Sequence, residues 1–491
     1  MICNKSQNIF SNTDDYFVHQ FNTGCLSQFS YYIESKKEAL VIDPIRDSDQ
    51  YLDLLNSRGA SLKYILETHF HADFVSGHCE LARLTGAKIV FGPTAVSSFE
   101  AHIAKDEEIL ELGKVGIMVL HTPGHTMESV SYILLDTQCN QKAIFTGDFL
   151  FLGEVGRPDL AVSSTITEAD LASCLYDSLQ KIKILPDEVI VFPGHGAGSQ
   201  CGKNISSGSS DSLGNQKKIN YALNDGLTKD MFIEIVTSNL STPPKYFFTN
   251  VDMNKNGHDN LEKVLEKSLK PIKPEEFVKM AETKNYVLLD SRDFNSSRTG
   301  FFKDSYLISL KITYAVWTAT LLSREKQILL VTDVGQEKES IIRLARVGFE
   351  NVVGYVEGGY NSLKEYCQET NRNDYITSLE SVDLSNIKTI IEEYLPNGNF
   401  VIIDVREKSE WESTGVVPNS ILISLKSLED KLPELISISG SKPLAVFCKT
   451  GGRAAIAGSI LKKNNITKKV YYLGGILNMI DKHVTLKSFK N

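Results

Sequence analysis

The sequence lacks the features that mark membrane, nucleic-acid-binding and disulfide-rich proteins. No run approaches the ~20 continuous apolar residues of a membrane-spanning helix, and the first residues lack the apolar core of a signal peptide. The eight cysteines are scattered, with no C-x-x-C pair, which argues against a zinc ribbon or a disulfide framework. The formal net charge of −9 argues against binding driven by nucleic-acid phosphates. We therefore expect a cytoplasmic protein without membrane or nucleic-acid partners.

The length and composition of the sequence are typical of a globular protein with several domains. A chain of 491 residues is too long for one hydrophobic core. Its hydrophobic content of 42% and charged content of 23% are typical of globular proteins. Apolar runs with strand spacing alternate with runs of helical spacing, which predicts an α/β multidomain chain.

The most informative stretch is residues 67–78, which reads E-T-H-F-H-A-D-F-V-S-G-H and follows a predicted buried strand. It brings His69, His71 and Asp73 together at the end of that strand. Imidazole and carboxylate together suit zinc, iron or manganese. Single histidines are unremarkable in a chain that has ten, but three potential ligands this close together predict a metal site.

Further ligand candidates follow three later predicted strands. His125 comes after Thr-Pro-Gly, Asp148 after Thr-Gly, and His195 after Pro-Gly. A small residue before each candidate allows close approach of the backbone. Turn chemistry explains each short motif equally well when it is taken alone. The recurrence at successive strand ends is what favours a shared site.

The full set resembles the ligand set of the metallo-β-lactamase fold, an αββα sandwich with its metal between two sheets: His69, His71, Asp73, His125, Asp148 and His195. That fold serves hydrolases, lactonases, glyoxalase-type thioesterases and persulfide dioxygenases, so the site must decide the activity. The usual run of the family is H-x-H-x-D-H, but here Phe74 takes the last place. Phenylalanine cannot bind a metal, which disfavours a two-metal centre.

The remaining residues resemble the mononuclear iron site of the persulfide dioxygenases. This resemblance implies one Fe(II) per chain, with positions open for substrate and O2, and three protein ligands: His69, His125 and Asp148. It also implies three residues that orient the ligands through hydrogen bonds: His71, Asp73 and His195. Spacing alone would make His71 a ligand.

Two features lie beyond these ligands. Arg157 is a candidate to hold an anionic group of the substrate's thiol carrier, with a surface salt bridge as the alternative. Residues 196–220 are rich in glycine and serine and predict a loop at the mouth of the site. Cys201 lies in this loop without a histidine or a basic residue next to it, so we predict no reactivity for it. The polar run 250–260 predicts the exit from this domain.

The second half of the chain contains an internal repeat. Residues 287–310 and 401–425 share a D-x-R motif and a later glycine, and the paired residues are Asp290 with Asp404, Arg292 with Arg406, and Gly300 with Gly415. The copies lie too far apart for solenoid repeats of about 20–50 residues. They predict two similar α/β domains with buried parallel sheets.

The second copy carries a short loop between a predicted strand and a predicted helix: Cys448, Lys449, Thr450, Gly451, Gly452 and Arg453. Loop amides, the helix N-terminus and Arg453 would together stabilise a thiolate, whereas a buried structural cysteine is the alternative. The pattern C-x-x-x-x-R resembles rhodanese, a sulfurtransferase fold, and is one residue shorter than the loop of dual-specificity phosphatases. The resemblance implies that Cys448 and Arg453 are catalytic and that the four residues between them bind substrate. In the first copy, pattern alignment puts Asp333 at the cysteine position, so we expect that copy to be inactive.

Taken together, the chain resembles the bacterial persulfide dioxygenase–rhodanese fusions. This resemblance implies a metallo-β-lactamase-like domain at 1–255, an inactive rhodanese-like domain at 272–372 and an active rhodanese domain at 384–491. It implies oxidation of a low-molecular-weight thiol persulfide (of glutathione, coenzyme A or a similar thiol) by O2 to sulfite. The second site would form or use thiosulfate, in sulfide detoxification.

Two other functions remain open from the sequence. One is a zinc-dependent hydrolase of the glyoxalase II type with accessory rhodanese domains. The other is a non-enzymatic sulfur carrier or redox sensor built on Cys448. The thiol carrier, the direction of sulfur transfer and the choice between monomer and homo-oligomer also stay open.

Overall fold

The structure is a computed structural model that describes residues 5–240, 242–381, 401–440, 442–467, 469–475 and 486–489. The described residues up to Val264, together with Leu344–Gly348, form one compact unit, and the remaining ones form a second. The predicted domain start at 384 lies outside the described residues, and the other domain boundaries stay predictions. No helix in the described ranges is both long enough and apolar enough to cross a membrane.

Two sheets make up the first unit. One sheet has seven strands that are hydrogen-bonded in chain order: Lys5–Asn12, Phe17–Thr23, Gln28–Ser35, Glu38–Ile42, Ser61–Leu66, Lys88–Phe91 and His102–Ile103. The other has six strands, whose order across the sheet is Asp211–Ser212, Ile190–Pro193, Gln141–Gly147, Val130–Leu135, Val115–His121 and Ile109–Leu112. A two-stranded ribbon pairs Leu150–Phe151 with Glu154–Val155.

Side-chain alternation along the strands explains how the layers of the first unit pack. On Val130–Leu135, Tyr132 and Leu134 belong to the core that also contains Tyr31 of the seven-stranded sheet. Ile133 points the other way and joins the cluster formed with helix Glu168–Lys183. The α-helices of this part of the chain are Asp49–Arg58, His78–Thr85, Glu168–Lys183, Leu213–Ile219, Lys229–Thr237, Tyr246–Asn256 and Leu261–Ser268. The resulting order of layers is the αββα sandwich that the sequence predicted.

The polar run 250–260 is largely helical, and its role as the exit from the domain stays a prediction. Most of it belongs to helix Tyr246–Asn256. Asn254 of this helix is buried, and its side-chain amide donates hydrogen bonds to the carbonyls of His71 and Phe74, both at 2.8 Å. Polar residues here satisfy buried backbone groups, which composition alone cannot distinguish from a solvated linker.

The second unit contains two five-stranded parallel sheets of identical topology. We number the five strands of each sheet 1 to 5 in the order in which they occur along the chain. Across each sheet, neighbouring strands then follow the order 1-5-4-2-3. In this order the first sheet has the strands Pro271–Ile272, Val352–Val356, Gln327–Val331, Tyr286–Asp290 and Tyr306–Leu307. The second has Glu380–Ser381, Val470–Gly474, Leu444–Phe447, Val401–Asp404 and Ile421–Leu422. The shared order confirms the internal repeat.

Helices connect these strands, as parallel pairing requires. In the first repeat they are Pro274–Glu282, Phe294–Ser297, Tyr314–Leu321, Glu337–Ala345 and Gly359–Glu369. In the second they are Lys408–Thr414, Leu432–Ser439 and Gly452–Lys463. A small antiparallel ribbon pairs Phe301–Phe302 with Ile376–Thr377.

The two D-x-R motifs make the same buried ion pair. Arg292 lies 2.6 Å from Asp290 and donates to the carbonyl of Gly300 at 2.8 Å. Arg406 and Asp404 repeat these contacts at the same distances in the second copy. Each arginine therefore ties the end of a central strand to the loop that follows it.

We expect Asp404→Ala to destabilise the second repeat strongly, because Arg406 would stay buried without its carboxylate. Breaking a buried pair costs about 3–5 kcal/mol, which urea unfolding would measure as a lower free energy of unfolding. Lys408→Ala is the matched control, since Lys408 is exposed and pairs with Glu412 only at 3.8 Å. An equally small effect of both substitutions would contradict the prediction.

Candidate metal site and sulfur-transfer loop

Three buried side chains converge at strand ends in the first unit. The ligand atoms of His69, His125 and Asp148 all lie within 4.8 Å of one another. Asp148 Oδ2 is 3.9 Å from His69 Nε2 and 3.7 Å from His125 Nε2, and it has no hydrogen-bond partner among the described residues. Two ligands with metal bonds of about 2.0–2.2 Å lie about 3–4 Å apart. The three residues therefore fit a metal ion.

The far nitrogens of the two imidazoles are held by protein groups. His69 Nδ1 lies 3.0 Å from the Thr68 hydroxyl, which itself donates to Asp43 at 2.8 Å. His125 Nδ1 lies 2.9 Å from the carbonyl oxygen of Arg157, to which it donates. Burial lowers the pKa of both His69 and His125. Neutral imidazoles held in this way keep an Nε2 lone pair available for a metal.

A second imidazole system supports Asp148 from the other side. His195 Nδ1 lies 2.7 Å from Asp148 Oδ1, and His195 Nε2 lies 2.8 Å from Asp73 Oδ2. Burial alone would lower the pKa of His195, but the two carboxylates raise it well above its usual value. A Cβ at Gly194 would stand 2.6 Å from Asp148 Oδ1, so only glycine allows this approach. The orienting roles of Asp73 and His195 stay predictions, with these contacts as their geometric basis.

His71 makes a different set of contacts. Its Nε2 lies 3.0 Å from Asp43 Oδ1 and 3.4 Å from Glu67 Oε2. Burial would lower the pKa of His71, but these two carboxylates raise it to about 9. Its Nδ1 is buried and has no hydrogen-bond partner in the described part of the chain, so both the orienting role and the ligand role stay open. Phe74 is buried against it, with ring centroids 4.3 Å apart.

The fold brings Cys201, for which the sequence predicted no reactivity, close to the candidate metal site. Its sulfur lies with ligand atoms of Asp73 and His195 within 4.8 Å, and all three residues are buried. Burial raises the pKa of the Cys201 thiol well above its usual value. The only sequence signal for this placement is that the loop follows His195 directly. The loop also ends earlier than predicted, because Leu213–Ile219 is a helix.

Arg157 is buried and forms a bidentate ion pair with Asp159, with both N–O distances 2.6 Å. The salt bridge considered as the alternative therefore exists, although it is buried and not on the surface. Through its carbonyl, Arg157 also fixes the ring of His125. Binding of a substrate anion by Arg157 stays a prediction.

In the second unit, Cys448 follows the strand Leu444–Phe447 and is buried. The amide of Gly451 donates a hydrogen bond to its Sγ at 3.1 Å, and the helix Gly452–Lys463 begins one residue later. The backbone thus directs an N–H group at the sulfur, as a thiolate requires. Two other members of the loop, Lys449 and Thr450, are exposed.

Arg453 does not contact the sulfur directly in this structure. Its guanidinium forms two contacts with the carboxylate of Glu410, one of them at 2.8 Å. Glu410 lies in helix Lys408–Thr414, so the pair holds the helix that follows the loop against the segment after the D-x-R motif. The catalytic role of Arg453 stays a prediction.

Strand register corrects the alignment of the first repeat. In each repeat, the aspartate of D-x-R pairs with the last residue of the neighbouring central strand, which is Val331 in the first copy and Phe447 in the second. The next residue is Thr332 in the first copy and Cys448 in the second. The placement of Asp333 opposite the cysteine was therefore wrong by one residue, because sequence patterns do not define strand pairing. A threonine hydroxyl cannot carry sulfur either, so the copy is still expected to be inactive.

We expect Gly451→Ala to slow sulfur transfer by about 5- to 150-fold, which corresponds to about 1–3 kcal/mol of backbone strain. Gly451 has φ +103°, and a Cβ would stand 2.3 Å from the Tyr472 hydroxyl. Steady-state transfer from thiosulfate to cyanide would measure the change. Gly440→Ala is the matched control, because Gly440 also has positive φ but open space around it. Equal rates in the two variants would contradict the prediction.

Comparison with known proteins finds a family match in each of these two regions. Residues 23–195 match the metallo-beta-lactamase superfamily, and residues 388–481 match the rhodanese-like domain. The chain therefore contains a metallo-β-lactamase-fold domain followed by a rhodanese-like domain. The predicted fold class is confirmed.

Three individual proteins illustrate the similarity. Hydroxyacylglutathione hydrolase from Francisella tularensis subsp. novicida is 31% identical over 176 residues, which are 36% of this chain and 65% of that enzyme. A crystal structure of a metallo-beta-lactamase from Staphylococcus aureus is 29% identical with a TM-score of 0.63, and the match covers 69% of this chain and 98% of that one. The crystal structure of ETHE1 from Myxococcus xanthus is 28% identical with a TM-score of 0.42, covering 49% and 99% of the two chains. The chain thus spans somewhat less than two thirds of the length of the hydrolase.

Proposed function

We propose that the protein is a non-heme iron persulfide dioxygenase coupled to a rhodanese-type sulfurtransferase. The observation that carries the proposal is the trio of His69, His125 and Asp148, with the unpaired Asp148 Oδ2 between two neutral imidazoles. Two histidines and one carboxylate on one face of a metal are typical of non-heme iron oxygenases. In the proposed reaction, one persulfide, one O2 and one water give one thiol, one sulfite and two protons.

The chain's own residues have defined tasks in this proposal. Iron held by the trio would supply the electrons that activate O2, which zinc cannot do. Thr68 and the carbonyl of Arg157 keep the two imidazoles oriented, and burial lowers the pKa of both rings. His195 shares its charge between Asp148 and Asp73 and thereby keeps Asp148 ionised. Burial of the whole group excludes bulk water.

The second reaction would use Cys448. Its thiolate would attack the outer sulfur of thiosulfate, so that a Cys448 persulfide forms and sulfite leaves. A thiol acceptor would then take the sulfur and restore the thiolate. The match of residues 388–481 to the rhodanese-like domain and the amide of Gly451 on the sulfur support this step. Fusion would raise the local concentration of sulfite and persulfide at both sites.

A zinc-dependent hydrolase of glutathione thioesters is the second candidate. The trio of Asp73, His195 and Cys201 favours it, because it could hold a second metal beside Asp148 despite the loss of a ligand at Phe74. The hydroxyacylglutathione hydrolases that match the first domain point the same way. Against it stands Phe74, which takes the place of a metal-binding histidine and packs against the ring of His71.

Metal analysis combined with oxygen uptake separates the two candidates. We expect about one iron per chain and O2 consumption that depends on added glutathione or coenzyme A persulfide and yields equimolar sulfite. The matched measurement is hydrolysis of a glutathione thioester by the same preparation. Stoichiometric zinc, thioester hydrolysis and no persulfide-dependent O2 uptake would reject the dioxygenase and favour the hydrolase.

A further inference from the structure

The second unit contains a cavity of about 290 Å³ that neither proposed reaction uses. It is lined by the amino-terminal part of strand Tyr286–Asp290 and by Lys326, which directly precedes strand Gln327–Val331. The D-x-R motif lies at the opposite, carboxyl ends of these strands. Lys463, the last residue of helix Gly452–Lys463, also lines the cavity, so both repeats contribute to it.

Positive charge dominates the walls of this cavity. Four lysines line it, Lys284, Lys303, Lys326 and Lys463, against a single lining carboxylate, Asp304. Within the described part of the chain, no carboxylate oxygen lies within 4.0 Å of the first three ammonium groups. The whole protein carries a net charge of −9, so this cluster runs against the average charge of the molecule. Like charges held together repel each other unless an anion compensates them.

The fourth lysine, Lys463, is held in place by contacts with Tyr306. Lys463 Nζ donates to the Tyr306 hydroxyl at 2.6 Å, and that hydroxyl donates to Glu429 at 2.8 Å. The ammonium group also lies 4.3 Å from the centre of the Tyr306 ring. Tyr306 belongs to the first repeat and Glu429 to the second, so these contacts join the two repeats beside the cavity. The other three lysines line the same cavity.

We propose that this cavity binds a small oxyanion with two negative charges, of the phosphate or sulfur oxyanion class, between Lys284, Lys303 and Lys326. Lysine binds such groups as a point charge with three rotatable donors, which suits several lysines on one small anion. A volume of about 290 Å³ lies at the lower end of organic ligand pockets, which span about 300–1,000 Å³. The anion, or an anionic group of a larger molecule, would bind to the first repeat next to Lys463 of the second, at a site remote from Cys448.

Calorimetric titration of the full chain tests this proposal. The protein carries Cys448→Ser, so that no sulfur is transferred, and the probes are inorganic phosphate, thiosulfate and sulfite, each against chloride at equal ionic strength. We expect saturable binding of at least one probe, weakened by at least about tenfold in Lys303→Gln/Lys326→Gln, because this variant loses two charged hydrogen-bond donors to the anion. The probe that binds most tightly shows whether the site prefers phosphate or a sulfur oxyanion.

Lys338→Gln/Lys364→Gln is the matched control, since both lysines are exposed, lie in the same repeat and do not line the cavity. It should bind the probe as the parent does, and thermal unfolding should show all three proteins equally folded. Binding that merely follows ionic strength, an equal loss in the control, or undiminished binding in Lys303→Gln/Lys326→Gln would overturn the proposal.

Discussion

A His125→Ala variant is expected to lose bound iron and persulfide-dependent sulfite formation together, each by more than about 100-fold. Loss of a residue that only supports a metal ligand already costs about 10- to 100-fold in metal affinity or activity, and His125 would be a ligand itself. Its Nε2 lies 3.7 Å from Asp148 Oδ2, while its Nδ1 is fixed by the carbonyl of Arg157. Alanine removes the donor and leaves only one neutral imidazole in the trio.

The measurements are metal content by mass spectrometry and sulfite produced under O2. His102→Ala is the matched control in the same unit, because His102 is partly exposed, pairs with Glu108 at 2.5 Å and belongs to none of the potential metal-ligand clusters of the described residues. It should keep both iron and activity. Iron and sulfite formation that survive in His125→Ala would show that the trio is not the metal site.

The second large effect is expected at Cys448. Cys448→Ser should lower sulfur transfer from thiosulfate to cyanide by at least about 10³-fold, because a hydroxyl replaces the only group of the loop that can carry sulfur. Sulfite formation at the metal site should continue at the parental rate when persulfide is supplied directly. The two activities would then be separable within one chain.

Cys139→Ser is the matched control for this variant, since Cys139 is exposed and lies in the first unit. It should leave both activities unchanged. Undiminished transfer in Cys448→Ser would reject the rhodanese assignment of the loop. Loss of sulfite formation in Cys448→Ser would favour the sulfur-carrier alternative, in which one cysteine serves the whole protein.

Much of the candidate site could be predicted from the sequence because its residues directly follow successive predicted strands. His69, His125 and Asp148 each follow a strand that the apolar pattern reveals, and a sheet brings such ends to one edge. The position of Cys448 could also be predicted, because the strand, the loop and the helix that surround it are adjacent in the sequence. The contacts of Asn254 and Cys201 with residues 67–78 could not be predicted from the sequence, because they depend on how distant segments pack together.

The sequence by itself determined the metallo-β-lactamase-like pattern, the internal repeat and the presence of the loop cysteine in only the second copy, because each depends on residue types at short spacing. Tertiary structure alone decided which partner each charged group takes. It pairs Arg157 with Asp159 and Arg453 with Glu410, and its strand register sets Thr332 in place of the cysteine. Hydrogen bonds, ion pairs and register join residues across sheets and helices, and such distances exist only once the chain is folded.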